Sequence, residues 1–141
     1  RQMCIRDREH TAKSFKELIL SPQSELFDVR RYLVSNGYLI EYEHMLCDEG
    51  KYYFIIHVLV KKDEREWSEE EYRYGKDICK DDIKTFLAYL EKEERQYEQI
   101  LEKMKQAPEN DRAAQRIAQL HQDITCLKKR RQLVYDCGCF A

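Results

Sequence analysis

Leu18-Ile19-Leu20-Ser21-Pro22-Gln23-Ser24, followed by Glu25-Leu26-Phe27-Asp28-Val29-Arg30-Arg31-Tyr32-Leu33 and closing at Asn36-Gly37-Tyr38, places a strand, a loop and a helix in one run. Residues 16–20 read as a short buried strand that ends at Pro22, because proline cannot donate a ladder hydrogen bond. Ser24 suits a helix N-cap and Asp28 falls in the favourable first turn. Leu26, Val29 and Leu33 then form an apolar stripe up to Gly37, a natural C-cap. Such a helix is expected to pack on a sheet.

The sheet follows directly. In 38–46, Tyr38, Ile40, Tyr42 and Leu46 alternate with Glu41 and Glu43, the pattern of a strand with one wet face at a sheet edge. Residues 51–60 are apolar on both faces apart from His57, as a central strand would be. Cys47-Asp48-Glu49-Gly50 makes the turn of an antiparallel hairpin between them. These patterns place 51–60 in the middle, antiparallel to both 16–20 and 38–46. A right-handed crossover through helix 25–36 then links two parallel strands.

Beyond Lys62 the composition shifts to Glu, Lys, Arg and Gln. Ser68 and Glu71 form a capping box for a short helix ending near Gly75. A long helix starts at Asp81 or Asp82, with Ile83, Leu87, Leu90, Tyr97, Leu101 and Met104 on one seam and Glu94 as its polar intruder. Ala107-Pro108-Glu109-Asn110 breaks it, and Asp111 is a plausible new cap. Ile117, Leu120, Ile124, Leu127 and Val134 line a second seam, with Arg131 in the remaining position. Two such seams joined by a short break predict an antiparallel, coiled-coil-like helical hairpin. The division expected is 1–10, 11–62 for the α/β part and 63–141 for the helical part. Gln2-Met3-Cys4-Ile5-Arg6-Asp7-Arg8 fits nothing that follows. It resembles a translated sequencing-adapter peptide, or else forms a frayed N-terminal segment.

The 141 residues carry a net charge of −2, which gives the whole chain no bulk preference for nucleic acid or membrane. The charge is divided. Residues 63–71 sum to −5, whereas 111–141 sum to +3, so an anionic partner is expected to meet the C-terminal helix first. Six scattered cysteines in a charged chain point to a reduced, cytoplasmic protein, and no apolar run approaches the ~18 residues of a membrane helix.

Ser21-Pro22-Gln23-Ser24 lies where open α/β sheets bind ligands, beyond a strand's carboxyl end; the plainer reading is a strand stop followed by a cap. Lys128-Lys129-Arg130-Arg131 wraps most of the way round a helix and suits phosphate contacts, or equally a solvated helix end. His57 reads as a core residue, and His10, His44 and His121 show no spacing that forms a site. Cys137-Gly138-Cys139 lacks a second ligand pair, so no metal is expected. A nucleophile, base and oxyanion set is absent from the motifs, as is a phosphate-cradling glycine loop.

Taken together, Lys16 to Ser24, Val29-Arg30-Arg31-Tyr32-Leu33, Asn36-Gly37-Tyr38, the hairpin through Ile56, Glu70-Glu71-Tyr72-Arg73-Tyr74-Gly75 and Phe86-Leu87-Ala88-Tyr89-Leu90 resemble the C-terminal part of the bacterial tRNA (adenine-N1)-methyltransferases. The resemblance covers roughly residues 14–130. It implies an α/β fold, the last three strands of a class I Rossmann-like methyltransferase sheet, followed by the helical hairpin. It also implies S-adenosylmethionine as cofactor and tRNA as partner. Ser21, Pro22 and Gln23 would then line the target-adenine side, and Arg112, Arg116, Lys128, Lys129, Arg130 and Arg131 would touch the tRNA backbone. The cofactor turn, the ribose-gripping acid and the main catalytic loop have no counterpart here, and Lys76 stands where relatives often carry proline. The chain is therefore expected to be a fragment that is inactive, binds no cofactor alone and tends to aggregate. The alternative is a non-enzymatic module that dimerises or docks a protein through its heptad seam.

Overall fold

The computed structural model describes residues 17–137, so the adapter-like segment and Cys139 lie outside the described residues. The chain divides between Thr85 and Phe86 into two compact units. In the first, β1 (Glu17–Leu20) leads through the Ser-Pro-Gln loop into α1 (Leu26–Ser35), and β2 (Leu39–Asp48) and β3 (Lys51–Leu59) form a hairpin. The sheet order is β1-β3-β2, with β3 central and antiparallel to both neighbours, as the apolar patterns required. Asp48 pairs with Lys51 across a two-residue turn. Glu49 and Gly50 both have positive φ, at 51° and 78°, the backbone twist that joins antiparallel strands without splaying them.

The core of this unit lies between α1 and one face of the sheet. Val29 and Leu33 meet Leu20, Ile40, Ile56 and Val58, and Tyr38 is fully enclosed with them.

Two local expectations are corrected. Ser24 is not the cap of α1. The N-cap is Glu25, held at φ 56° with no side-chain cap bond. The second correction concerns Glu43, which is fully buried rather than on a wet face. The register shifts between Ile40 and Tyr42, so a bulge at Glu41 exchanges the two faces beyond it. Ile40, Glu43 and Met45 therefore share the buried side although their numbers break the alternation.

Residues 63–82 fold back on the sheet and belong to the first compact unit. The Glu43 amide donates to the Asp77 carbonyl at 2.9 Å, and the Cys79 amide donates to the Glu43 carbonyl at 2.9 Å. This short parallel pairing covers the outer edge of β2. The capping box at Ser68 and Glu71 opens α2 (Glu69–Tyr74) as read, and Gly75 ends it.

Two long helices account for the second unit. α3 (Ile83–Gln106) follows a 3-10 turn at Lys80–Asp82, and α4 (Asp111–Asp136) is capped by Asn110, whose side chain accepts from the Ala113 amide. The cap is thus one residue earlier than expected. Leu101 packs with Leu120 and Ile124, flanked by Tyr97, Met104 and Ile117. The two polar intruders of the seams meet each other, Arg131 Nη1 lying 3.1 Å from Glu94 Oε2. Together with Arg130 over the Phe86 ring, these contacts mean the helices run in opposite directions.

Candidate functional site

The sequence of β1 determines where the loop emerges. Leu20 is buried in the core and Pro22 is buried behind it, which leaves Ser21 and Gln23 exposed on either side. Glu25 then turns in the left-handed region, an uncommon conformation for a residue with a side chain. Such strain persists only where surrounding structure imposes it, and it gathers at ligand-facing loops. The structure therefore presents Ser21 and Gln23 from a bent, anchored loop at the carboxyl end of β1.

The six cations read from the sequence divide into two groups. Arg112, Arg116, Lys128 and Lys129 are exposed, whereas Arg130 and Arg131 are half-buried. Four successive helical residues are spaced 100° apart, so they cannot all avoid the packed face. Arg131 is engaged by Glu94, and Arg130 lies 5.6 Å over Phe86. Lys76 donates to Glu71 Oε2 at 2.7 Å and to the Glu66 carbonyl at 2.9 Å, and it lies over Trp67.

Behind the loop, Arg30 anchors α1 to β2 and α2. Its guanidinium makes a bidentate pair with Glu43, at 2.9 to 3.2 Å, and donates to the carbonyls of Tyr72 and Arg73 at 2.9 and 2.8 Å. Both side chains are fully buried. A second anchor is Asp63, which accepts from Arg65 and, at 2.8 Å, from Trp67 Nε1. Burial alone would push its carboxyl up, but the hydrogen bonds from Arg65 and Trp67 outweigh burial and hold it below the usual range.

The sequence reading missed a third cluster. His44 Nδ1 lies 2.9 Å from Asp82 Oδ2, and His44 Nε2 lies 3.8 Å from Cys79 Sγ. His44 is more than thirty residues from Cys79 and Asp82, so no local spacing signalled the cluster; the edge pairing of Cys79 with Glu43 brings them together. Burial, with the charges of Asp82 and Asp81, pushes the Cys79 thiol up.

The comparisons with known proteins bear on this arrangement. The model of the family described as tRNA (adenine(22)-N(1))-methyltransferase matches residues 3–129, spanning the sheet, the loop and most of both long helices. The chain belongs to this family. Three solved structures show how far the tRNA (adenine(22)-N(1))-methyltransferase likeness reaches. A Streptococcus pneumoniae protein in complex with S-adenosyl-L-methionine is 22% identical with a TM-score of 0.72, over 90% of this chain and 52% of that one. The M. capricolum TrmK in complex with S-adenosyl-homocysteine is 20% identical with a TM-score of 0.71, over 92% and 55%. The B. subtilis m1A22 tRNA methyltransferase TrmK is 18% identical with a TM-score of 0.73, over 90% and 56%. At these identities the likeness is one of fold. The chain spans little more than half the length of these methyltransferase structures. A comparison with curated protein sequences gives no match.

Proposed function

We propose that this chain supplies the C-terminal part of an S-adenosylmethionine-dependent enzyme that methylates N1 of adenine 22 in tRNA. The observation that carries the reading is the family match across residues 3–129, which includes the sheet and the helical pair together. Two structural features support it. Among the described residues β1 pairs on one side only, with β3, and Ile19 on it is 64% exposed, as expected of a strand taken from a larger sheet. The Ser21-Pro22-Gln23 loop stands at the carboxyl end of that strand, the side on which such sheets bind ligands.

The residues present do not fit the cofactor. Gly37 and Gly75 end helices and Gly50 turns a hairpin, so among the described residues no glycine-rich strand-to-helix turn is available for S-adenosylmethionine. The cofactor would supply the methyl group in the parent enzyme, and this chain's residues are assigned only to the substrate side. Ser21 and Gln23 carry hydroxyl and amide groups that can hydrogen-bond an adenine edge. Arg112, Arg116, Lys128 and Lys129 would hold tRNA phosphates on a coiled-coil-like pair, with Arg130 and Arg131 bracing it. A purely dimerising module would account for the helices but not for the family match over the sheet.

The test begins by extending the reading frame upstream of residue 11 and producing the extended protein. With radiolabelled S-adenosylmethionine it should methylate a tRNA transcript carrying adenine 22 and leave a transcript with guanine there unlabelled. The 141-residue chain alone should do neither and should not bind S-adenosylmethionine. Cofactor binding by this chain alone, or an extended protein indifferent to base 22, would overturn the proposal.

A further inference from the structure

The three side chains His44, Cys79 and Asp82 bring their ligand-type atoms within 4.8 Å of one another in the first unit. Each is held by backbone. His44 is fixed on β2, Cys79 by the hydrogen bond its amide donates to the Glu43 carbonyl, and Asp82 by the 3-10 turn and by accepting from the Met45 amide at 3.1 Å. The order of contacts matters. In the tautomer that carries its proton on Nδ1, the imidazole donates to Asp82 Oδ2 and the Nε2 lone pair faces Cys79 Sγ. A carboxylate behind a histidine is the usual means of fixing the tautomer and orientation of a metal-bound imidazole.

We propose that His44 Nε2 and Cys79 Sγ form a binding site for a thiophilic divalent cation of the zinc class, with Asp82 as the carboxylate that orients the histidine. The spacing agrees with the chemistry. With Zn–N of about 2.0–2.1 Å and Zn–S of about 2.3 Å, a 3.8 Å separation of nitrogen and sulfur corresponds to an angle of roughly 120° at the metal, close to tetrahedral. The carboxylates of Asp81 and Asp82 place negative charge beside the pair, which favours a cation there. His44 is 44% exposed, so the ion can enter from solvent and keep water in its remaining positions.

The same connectivity, thiol to imidazole to carboxylate, is also that of a cysteine nucleophile with its base. That reading is weaker, because a nucleophile needs a thiolate without help, and the nearby carboxylates oppose one. A cation removes this conflict, since metal-bound thiols are deprotonated outright.

The test uses the full chain with Cys4, Cys47, Cys126, Cys137 and Cys139 replaced by serine, so that Cys79 is the sole thiol. Cobalt(II) is the probe, followed by zinc(II). One equivalent of cobalt should give a thiolate-to-metal charge-transfer band that zinc bleaches. C79S should abolish the band, and D82N should weaken binding by about 10- to 100-fold while keeping it. H44Q should weaken binding further than D82N, and circular dichroism should report that all variants stay folded. Absence of the band in the single-thiol chain, or equal affinity in folded H44Q, would overturn the proposal. Rapid alkylation of Cys79 that zinc does not slow would instead favour the nucleophile reading and would also count against the metal site.

Discussion

A guanidinium withdrawn from water is tolerable only when its donors are met, and Arg30 meets that condition with Glu43 and two backbone carbonyls. Replacing Glu43 by alanine leaves a buried cation without its partner and should cost about 3–5 kcal/mol, read as a lower urea midpoint. Gly75 stands beside the same pair at φ 92°, and a Cβ there would come 2.9 Å from Ile78 Cδ1 and 3.0 Å from Glu43 Oε2. Gly75→Ala should therefore destabilise by about 1 kcal/mol or more, combining left-handed strain with overpacking. Asp63 contributes to the acid limb, alongside Glu71, whose carboxyl burial pushes up but Lys76 and the Ser68 amide also hold down. The Asp63 carboxyl is held down in the fold, so the unfolded chain binds more protons, and the stabilisation is fully present above about pH 4 and lost as pH falls through the folded value. Asp63→Asn should flatten that acid slope in a pH series of thermal melts. None of these roles was legible in the sequence. Glu43 read as wet because a strand's period of two was assumed to continue, and one extra residue at Glu41 reversed it.

At the scale of elements, the helical pair shows how a residue can be read for one role and engaged in another. Arg131 is both one of four adjacent cations and a seam position in the sequence, and it faces Glu94 across the pair at 3.1 Å. A double-mutant cycle with Glu94→Gln and Arg131→Gln should return a coupling of about 0.5–1 kcal/mol, since both side chains remain partly exposed. The four exposed cations should behave differently. Exchanging Arg112, Arg116, Lys128 and Lys129 for glutamine should weaken tRNA binding by the extended protein and reduce the slope of log K against log salt by up to about 0.7–0.9 per lost contact. Arg131→Gln should leave that slope nearly unchanged. The apolar rows themselves were legible: Leu101, with Tyr97 and Met104, packs against Leu120 and Ile124, with Ile117. Which cations point outward was not legible, because that depends on where the packed face lies.

For the molecule as a whole, the edge of β1 is the feature with the largest consequence. Among the described residues, Glu17–Leu20 pairs with no strand on the side away from β3, and Ile19 beside it is 64% exposed. Such an edge templates association. The 141-residue chain should self-associate in sedimentation velocity, and Ile19→Lys should shift it toward monomer with little change in unfolding midpoint. Sequence by itself determined the strand, loop, helix and hairpin order, the central position of β3 and the two helical seams. These follow from periodicity and turn chemistry, which act between near neighbours and are written locally. Only the tertiary structure decided the buried Arg30–Glu43 pair, the face exchange at Glu41 and the meeting of His44, Cys79 and Asp82. The bulge is set by how β2 registers on β3, the ion pair by how α1 packs on the sheet, and the cluster by the edge pairing of Glu43 with Cys79, and no local pattern encodes contacts of these kinds.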